Sequence, residues 1–305
     1  MLVLGYCTCA IAQATLKSHK IAYNVLENRE GDDYEVYAMN PDGTGKTNVT
    51  RHPDVAWTYY AHKNKLYWIS DRDTCHRCYY LYVSDAEGNG VKKVSGLRLE
   101  DSWMSSRKKG RELIVAGRIG KQARYQLFLV NTASGQYEQI THDTSAMYAD
   151  PEFSPNGKQI VYRYKHKRLD RNEKAEIWIA DADGSNARQL TTYPAADTTA
   201  QWHSYHAGPP QWNAKLSLIT YQSKQNGKYR LMAVSPDGKH NFELFDFPFS
   251  AGWHDWSPDG RWLAVELFPD ESSPGDIYLW DYQTKALTRL TDGPGFEQSP
   301  VWVRR

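Results

Sequence analysis

The 305-residue chain predicts an all-β fold: a six-bladed β-propeller of four-stranded antiparallel blades, with a closing blade shared by the N- and C-termini. Three observations lead there. Tyr (21) and Trp (11) outnumber Phe (8), and aromatics reach 13%, which suits pleated, half-buried surfaces better than helices. A unit of strands and turns recurs six times along the chain. Finally, each end of the chain lacks a strand that the other can supply.

The repeat carries two landmarks that move in step. The first is a strand ending ahead of a turn, at Asn40 (EVYAMNPDG), Asp85, Asn131, Asp181, Ser235 and Asp281. The second is the residue after an apolar one, at Thr50, Ser95, Thr141, Thr191, Phe245 and Thr291. Both give successive spacings of 45, 46, 50, 54 and 46, so each unit keeps its internal geometry while insertions fall elsewhere. A third landmark is an aromatic that opens a turn: Phe153-Ser-Pro-Asn-Gly before QIVY and Trp256-Ser-Pro-Asp-Gly before WLAV, with degenerate copies at Tyr60, Trp103 and Trp212. Pro presets φ and Gly supplies the positive φ of a tight hairpin, so the strands on either side run antiparallel. Four strands per period of about 45 residues is the pattern of a propeller blade.

The count closes at six. After Trp302 only Val303, Arg304 and Arg305 remain, while the first unit starts at Ile21 with no aromatic turn before it. The C-terminal PVW segment therefore supplies the innermost strand to a blade whose other three strands come from residues 21–50, which removes a free sheet edge.

Lys plus Arg (37) balances Asp plus Glu (36), so no net field draws in nucleic acid or an anionic membrane. The most basic stretch, Arg163 to Lys174, reads as a solvated hairpin tip. Residues 1–14 (MLVLGYCTCAIAQA) form an apolar run ending in small residues, as a signal-peptide remnant would, and imply a periplasmic or secreted protein; residues 15–305 are the propeller. Beyond residue 14 no apolar run approaches the ~20 residues of a spanning helix, and the mean hydropathy is −0.71. Cys75 and Cys78 in DTCHRC are too few for a structural zinc site, and a local disulfide fits them better.

WSPDGRWLAVE, DIYLWD and RLTDG resemble the WD-like repeats of the TolB-like propeller family, which recur in the propellers of prolyl oligopeptidases. The resemblance spans residues 19–305 and implies architecture more than function. In TolB it implies a further N-terminal α/β domain, which the residues ahead of the first unit do not supply, so a full Tol-system role is not expected of them. In prolyl oligopeptidases it implies a hydrolase domain with a Gly-x-Ser-x-Gly elbow, a motif this sequence lacks.

The crossovers between blades end around the central channel, so ligand contacts are expected there. They carry Glu100 and Asp101, Asp150, Trp253 and His254, and Glu297 and Gln298. The crossover from Thr191 to Trp212 is 21 residues long, against 12, 11 and 11 for Thr141 to Phe153, Phe245 to Trp256 and Thr291 to Trp302, and its extra residues include His203 and His206. Long loops rich in His and aromatics are often functional. His203, His206 and His254 can be read as metal ligands, a use resembling that of the oligogalacturonate lyases, or as strand caps bonded to backbone. Two functions follow. One is a binding module without a cofactor, holding a protein or small molecule at the channel mouth. The other is a lyase or hydrolase on saccharides or peptides, assisted by a divalent metal ion. The absence of nucleophile-elbow, Walker and HExxH motifs favours the first.

Overall fold

The computed structural model describes residues 14–28, 30–31 and 33–305. All but the last residue of the signal-peptide reading over 1–14 lies outside that range, and 14–18 form one short helix ahead of the first strand. Six sheets follow in a ring, as the repeat predicts. Blade 1 contains β1 (His19–Asn28), β2 (Asp33–Met39) and β3 (Thr47–Asn48). Blade 2 is β4 (Ala56–His62), β5 (Lys65–Ser70), β6 (Tyr80–Ser84) and β7 (Lys92–Lys93). Blade 3 has a broken inner strand, β8 (Arg98–Leu99) and β9 (Ser105–Arg107), followed by β10 (Glu112–Arg118), β11 (Gln126–Asn131) and β12 (Tyr137–Gln139). Blade 4 is β13 (Met147–Phe153), β14 (Gln159–Lys165), β15 (Glu176–Asp181) and β16 (Arg188–Gln189). Blade 5 is β17 (Gln211–Asn213), β18 (Leu218–Gln225), β19 (Lys228–Val234) and β20 (Asn241–Phe245). Blade 6 is β21 (Ser250–Trp256), β22 (Trp262–Phe268), β23 (Asp276–Asp281) and β24 (Leu287–Arg289). The last strand, β25 (Glu297–Arg304), returns to blade 1 and pairs antiparallel with β1, Trp302 opposite Ile21.

The landmarks repeat because they touch. In four blades the Thr hydroxyl accepts an N–H from the third strand of its own blade, at 2.9 Å from Val36 to Thr50, 2.8 Å from Leu127 to Thr141, and 2.9 Å from Ile177 to Thr191 and from Ile277 to Thr291. It also donates to an acid or amide that starts that strand: Glu35, Gln126, Glu176 or Asp276. The turn glycine belongs to a neighbour's contact as well. A Cβ on Gly88 (φ +85) would lie 2.2 Å from the Val49 carbonyl of the preceding blade, and one on Gly43 would lie 2.8 Å from that of Leu290, across the closure. No side chain fits there, so each turn is held against the preceding blade, while the Thr bonds within each blade keep the two landmarks at a fixed spacing.

The aromatic landmark sits seven residues ahead of its partner in β4–β5, β13–β14, β17–β18 and β21–β22, as in Tyr60 opposite Tyr67 and Trp256 opposite Leu263. In blade 3 the equivalent pair is Ser106 and Leu113, so Trp103 is not the copy the sequence suggests. It lies in the break between β8 and β9 instead. The residue just before the landmark ties blades together: Ser105 accepts the N–H of Phe153 (2.7 Å), Glu152 that of Trp212 (2.6 Å) and Asp255 that of Trp302 (2.8 Å).

Candidate channel-mouth site

Every inner strand enters from the same face, so one end of the channel collects the crossovers and the loops between second and third strands. The inner strands are bulged near that end. The ladder slips at Tyr59, Asp150, Trp253 and Ser299, and Asp150 and Ser299 both take φ +54. Bulges re-aim side chains, and here they turn them toward the channel.

Tyr59 donates to Asp101. Asp150 accepts from Ser102 Oγ and Trp103 N, both at 3.1 Å, and from Arg163 Nε at 2.7 Å. The Arg163 guanidinium lies 4.9 Å from the Tyr205 ring centre, and Tyr205 meets Trp253 edge-on at 6.2 Å. Burial alone would lower the Arg163 pKa, but the Asp150 carboxylate outweighs it, so this cation stays charged. Burial, reinforced by Asp150, raises the Asp101 carboxyl above the usual range, against the Tyr59 bond and the nearby Arg77 and Arg163. Burial also pushes the Tyr125 phenol up to about 12. The result is a polar, aromatic cluster drawn from blades 2 to 6.

Beside it a cavity of about 250 Å³ opens between blades 5, 6 and 1. Trp253, Tyr205, Tyr229, Phe268 and Phe296 supply its aromatic walls, and Gln222, Gln298, Glu266, Glu271 and Ser273 its polar groups. On the same face, the β16–β17 crossover carries Trp202, 58% exposed with Arg171 4.6 Å from its ring centre, and the β14–β15 loop carries Leu169, 78% exposed.

The predicted residues divide. Asp101, Asp150, Trp253 and Gln298 reach the mouth or its cavity. Glu100 is buried as the counter-ion of Arg124 (2.6 Å) and Arg118 (3.5 Å). Glu297 is buried on β25, next to Gly293 and Tyr23, away from the cluster, and burial raises its carboxyl. The histidines do not converge. His254 is buried between blades, its Nε2 hydrogen-bonded to Thr220 Oγ1 at 2.8 Å, and burial lowers its pKa to about 4. His206 packs edge-on against Tyr193 at 4.9 Å, and burial, helped by Lys174, Lys165 and Arg163, takes it to about 4. His203 stands beside the exposed Trp202. Among the described residues no group of three or more His, Cys, Asp or Glu side chains is placed to hold a metal ion, and the three histidines lie in separate surroundings. Cys75 and Cys78 are bonded to each other in the β5–β6 loop.

Sequence reasoning missed Arg163, Tyr205 and Glu266. Arg163 was grouped with a solvated basic tip, yet strand alternation places it opposite Ala149 on the inner strand. Glu266 was legible, because a lone acid inside LAVELF is a charge in an otherwise buried strand.

No family model matches the chain. It is 28% identical over 151 residues to dipeptidyl-peptidase 5 of Porphyromonas endodontalis, covering 48% of this chain and 20% of that protein. It is 25% identical over 185 residues to the Tol-Pal system protein TolB of Anaeromyxobacter dehalogenans, covering 59% of this chain and 40% of that protein. The crystal structure of TolB from Acinetobacter baumannii superposes with a TM-score of 0.70 at 16% identity, over 96% of this chain and 70% of that one. The chain thus matches well under half the length of these two curated relatives.

Proposed function

We propose that this chain, a TolB-like six-bladed β-propeller, is an exported, non-catalytic binding module that holds a protein or small-molecule ligand at the mouth of its channel. The observation that carries this reading is the convergence of Tyr59, Asp101, Asp150, Arg163 and Tyr205 on one end of a rigid ring, beside an aromatic cavity. Concave sites with a few fixed polar groups among aromatics are where ligands bind. The exposed Trp202 and Leu169, with Arg171 on the Trp ring, give this face the residue types that anchor protein partners. The bonded Cys75–Cys78 pair suits an oxidising compartment, which supports export to the periplasm or beyond. No cofactor is needed for this role. Also, no described helix is long and apolar enough to cross a membrane.

The test is capture of ligands from an extracellular or periplasmic extract on immobilised protein, read by mass spectrometry. Asp101→Asn and Trp202→Ala should each lower capture at least tenfold, while Lys158→Ala, on an exposed hairpin of the opposite face, should not. Equal capture by all four proteins refutes the placement of the site.

A further inference from the structure

The cavity beside the channel holds polar groups that the fold leaves unused. Gln222 is 3% exposed, Glu266 7% and Gln298 8%. Neither Gln side-chain amide bonds to a described residue, and the Glu266 carboxyl receives only the Trp253 N–H at a long 3.4 Å. Trp253 Nε1 is likewise buried without a partner among the described residues. Trp253 Nε1 is the fully buried one of these groups, while the two amides and the Glu266 carboxyl open onto the cavity, and polar groups left with no protein bond or one long one around a single cavity are free to bond a ligand. Space is kept for them: a Cβ on Gly252 or Gly275 would come within 2.6 or 2.8 Å of the Glu266 carboxyl oxygens.

The charge balance selects the ligand. No Lys or Arg lines the cavity, so an anion finds no counter-charge. Glu271 is neutralised by Lys224. Burial raises Glu266 to about 8, so at pH 7 it is a neutral acid that both donates and accepts, like the two amides. The other titratable groups facing it are the phenols of Tyr205 and Tyr229, which burial raises and keeps neutral. An uncharged guest rich in hydroxyls, each also donor and acceptor, matches this set. Flat apolar faces match the aromatic walls, and about 250 Å³ is the room of a single small ring.

We propose that this cavity binds one neutral pyranose, either a free sugar or the terminal residue of a glycan, with its ring against Trp253 and its hydroxyls on Gln222, Gln298 and Glu266. This rests on the reading that the channel-mouth face binds ligands. The probes are glucose, galactose, mannose and N-acetylglucosamine, each as the methyl glycoside and as a short oligosaccharide, with galacturonate and a neutral tripeptide as contrasts. Binding is followed by tryptophan fluorescence and calorimetry.

At least one neutral sugar should bind, and Gln298→Ala should weaken it tenfold or more with the melting temperature kept. Affinity should fall as pH rises through 8, where Glu266 loses its donor proton, and this fall should vanish in Glu266→Gln. Preference for the glycoside or for the oligosaccharide separates the two sources. Stronger binding of galacturonate or of the tripeptide, no sugar binding, or sugar binding that survives Gln298→Ala overturns the inference. If sugars fail while Asp101→Asn still abolishes capture from extract, only the sugar reading falls. If sugars bind while the mouth variants capture normally, the mouth reading falls instead.

Discussion

Ring closure can be tested at one side chain. Trp302 is 5% exposed on β25 and packs with Ile21, Met39, Ile277 and Leu290, from both blades it joins. Its ring donates to the Asp255 carbonyl at 3.2 Å. Truncating a buried Trp costs ~3–5 kcal/mol, and losing one hydrogen bond adds about 1 kcal/mol, so Trp302→Ala should cost roughly 4–6 kcal/mol. The Trp302 backbone bond to Asp255 survives in the variant, so the loss is confined to the side chain. For a domain of this size each kcal/mol lowers the melting temperature by ~2 °C, giving a drop of roughly 8–12 °C. The assay is a thermal scan paired with urea unfolding, in which the midpoint should shift while the slope stays constant. Removing everything after Thr291 takes away β25, strips β1 of its inner partner, and should abolish the cooperative transition. A shift of the Trp302→Ala melting point below ~2 °C, or wild-type melting of the truncated chain, would show that the ring does not close through this strand.

Two further substitutions separate structural groups from functional ones. His254→Ala removes a buried imidazole bonded to Thr220 and should cost roughly 2–4 kcal/mol at pH 7, with ligand capture per folded molecule unchanged; loss of capture without loss of stability would return this histidine to the site. Between pH 6.5 and about 4 the unfolded chain takes up a proton on His254 that the folded chain refuses, so stability falls with pH by up to ~3 kcal/mol in wild type. Asp255 and Glu266, raised to about 7 and about 8, act the other way and lose stability as pH rises above the ordinary carboxyl range, so the histidine term appears as the difference between wild type and variant. Thr191→Val keeps the shape but leaves the Ile177 N–H and the Glu176 carboxyl each one bond short, and urea unfolding should show a loss of about 2 kcal/mol; a neutral result would mean the Thr landmark is not a hydrogen-bond device.

The fold was legible because its signals are local and repeated. Pro-Asn-Gly and Pro-Asp-Gly set hairpins through φ, and the paired drift of Asn40 to Asp281 with Thr50 to Thr291 follows hydrogen bonds that tie the third and fourth strands within a blade. The site was less legible because it depends on register. Trp103 looked like a landmark, yet the inner strand of blade 3 breaks there and Ser106 takes the position. His203, His206 and His254 looked like a set by composition. Sequence proximity could not show that His254 sits within a sheet interface, or that His206 turns to Tyr193. Asp150 and Trp253 were found because crossovers end at the channel, whereas Arg163 and Glu266 reach it from second strands, which no crossover argument samples.

That division identifies which acids deserve a functional reading. Glu152 and Asp255 line the channel, and burial holds both carboxyls well above the ordinary range, a common mark of active sites. Yet each accepts the N–H of the next blade's aromatic, and Ser105 performs the same task one blade earlier, so the position belongs to the ring's own bonding. The perturbation there is a by-product of stacking blades around a narrow axis. Asp101 and Glu266 obey no such rule. Asp101 takes a phenol and faces charges from other blades, and Glu266 rests against two glycines with a single long bond. A buried acid whose partner recurs from blade to blade is explained by the fold. One that breaks the repeat is not, and in a ring of near-identical units departure from the pattern is a stronger pointer to ligand contact than burial or a raised pKa.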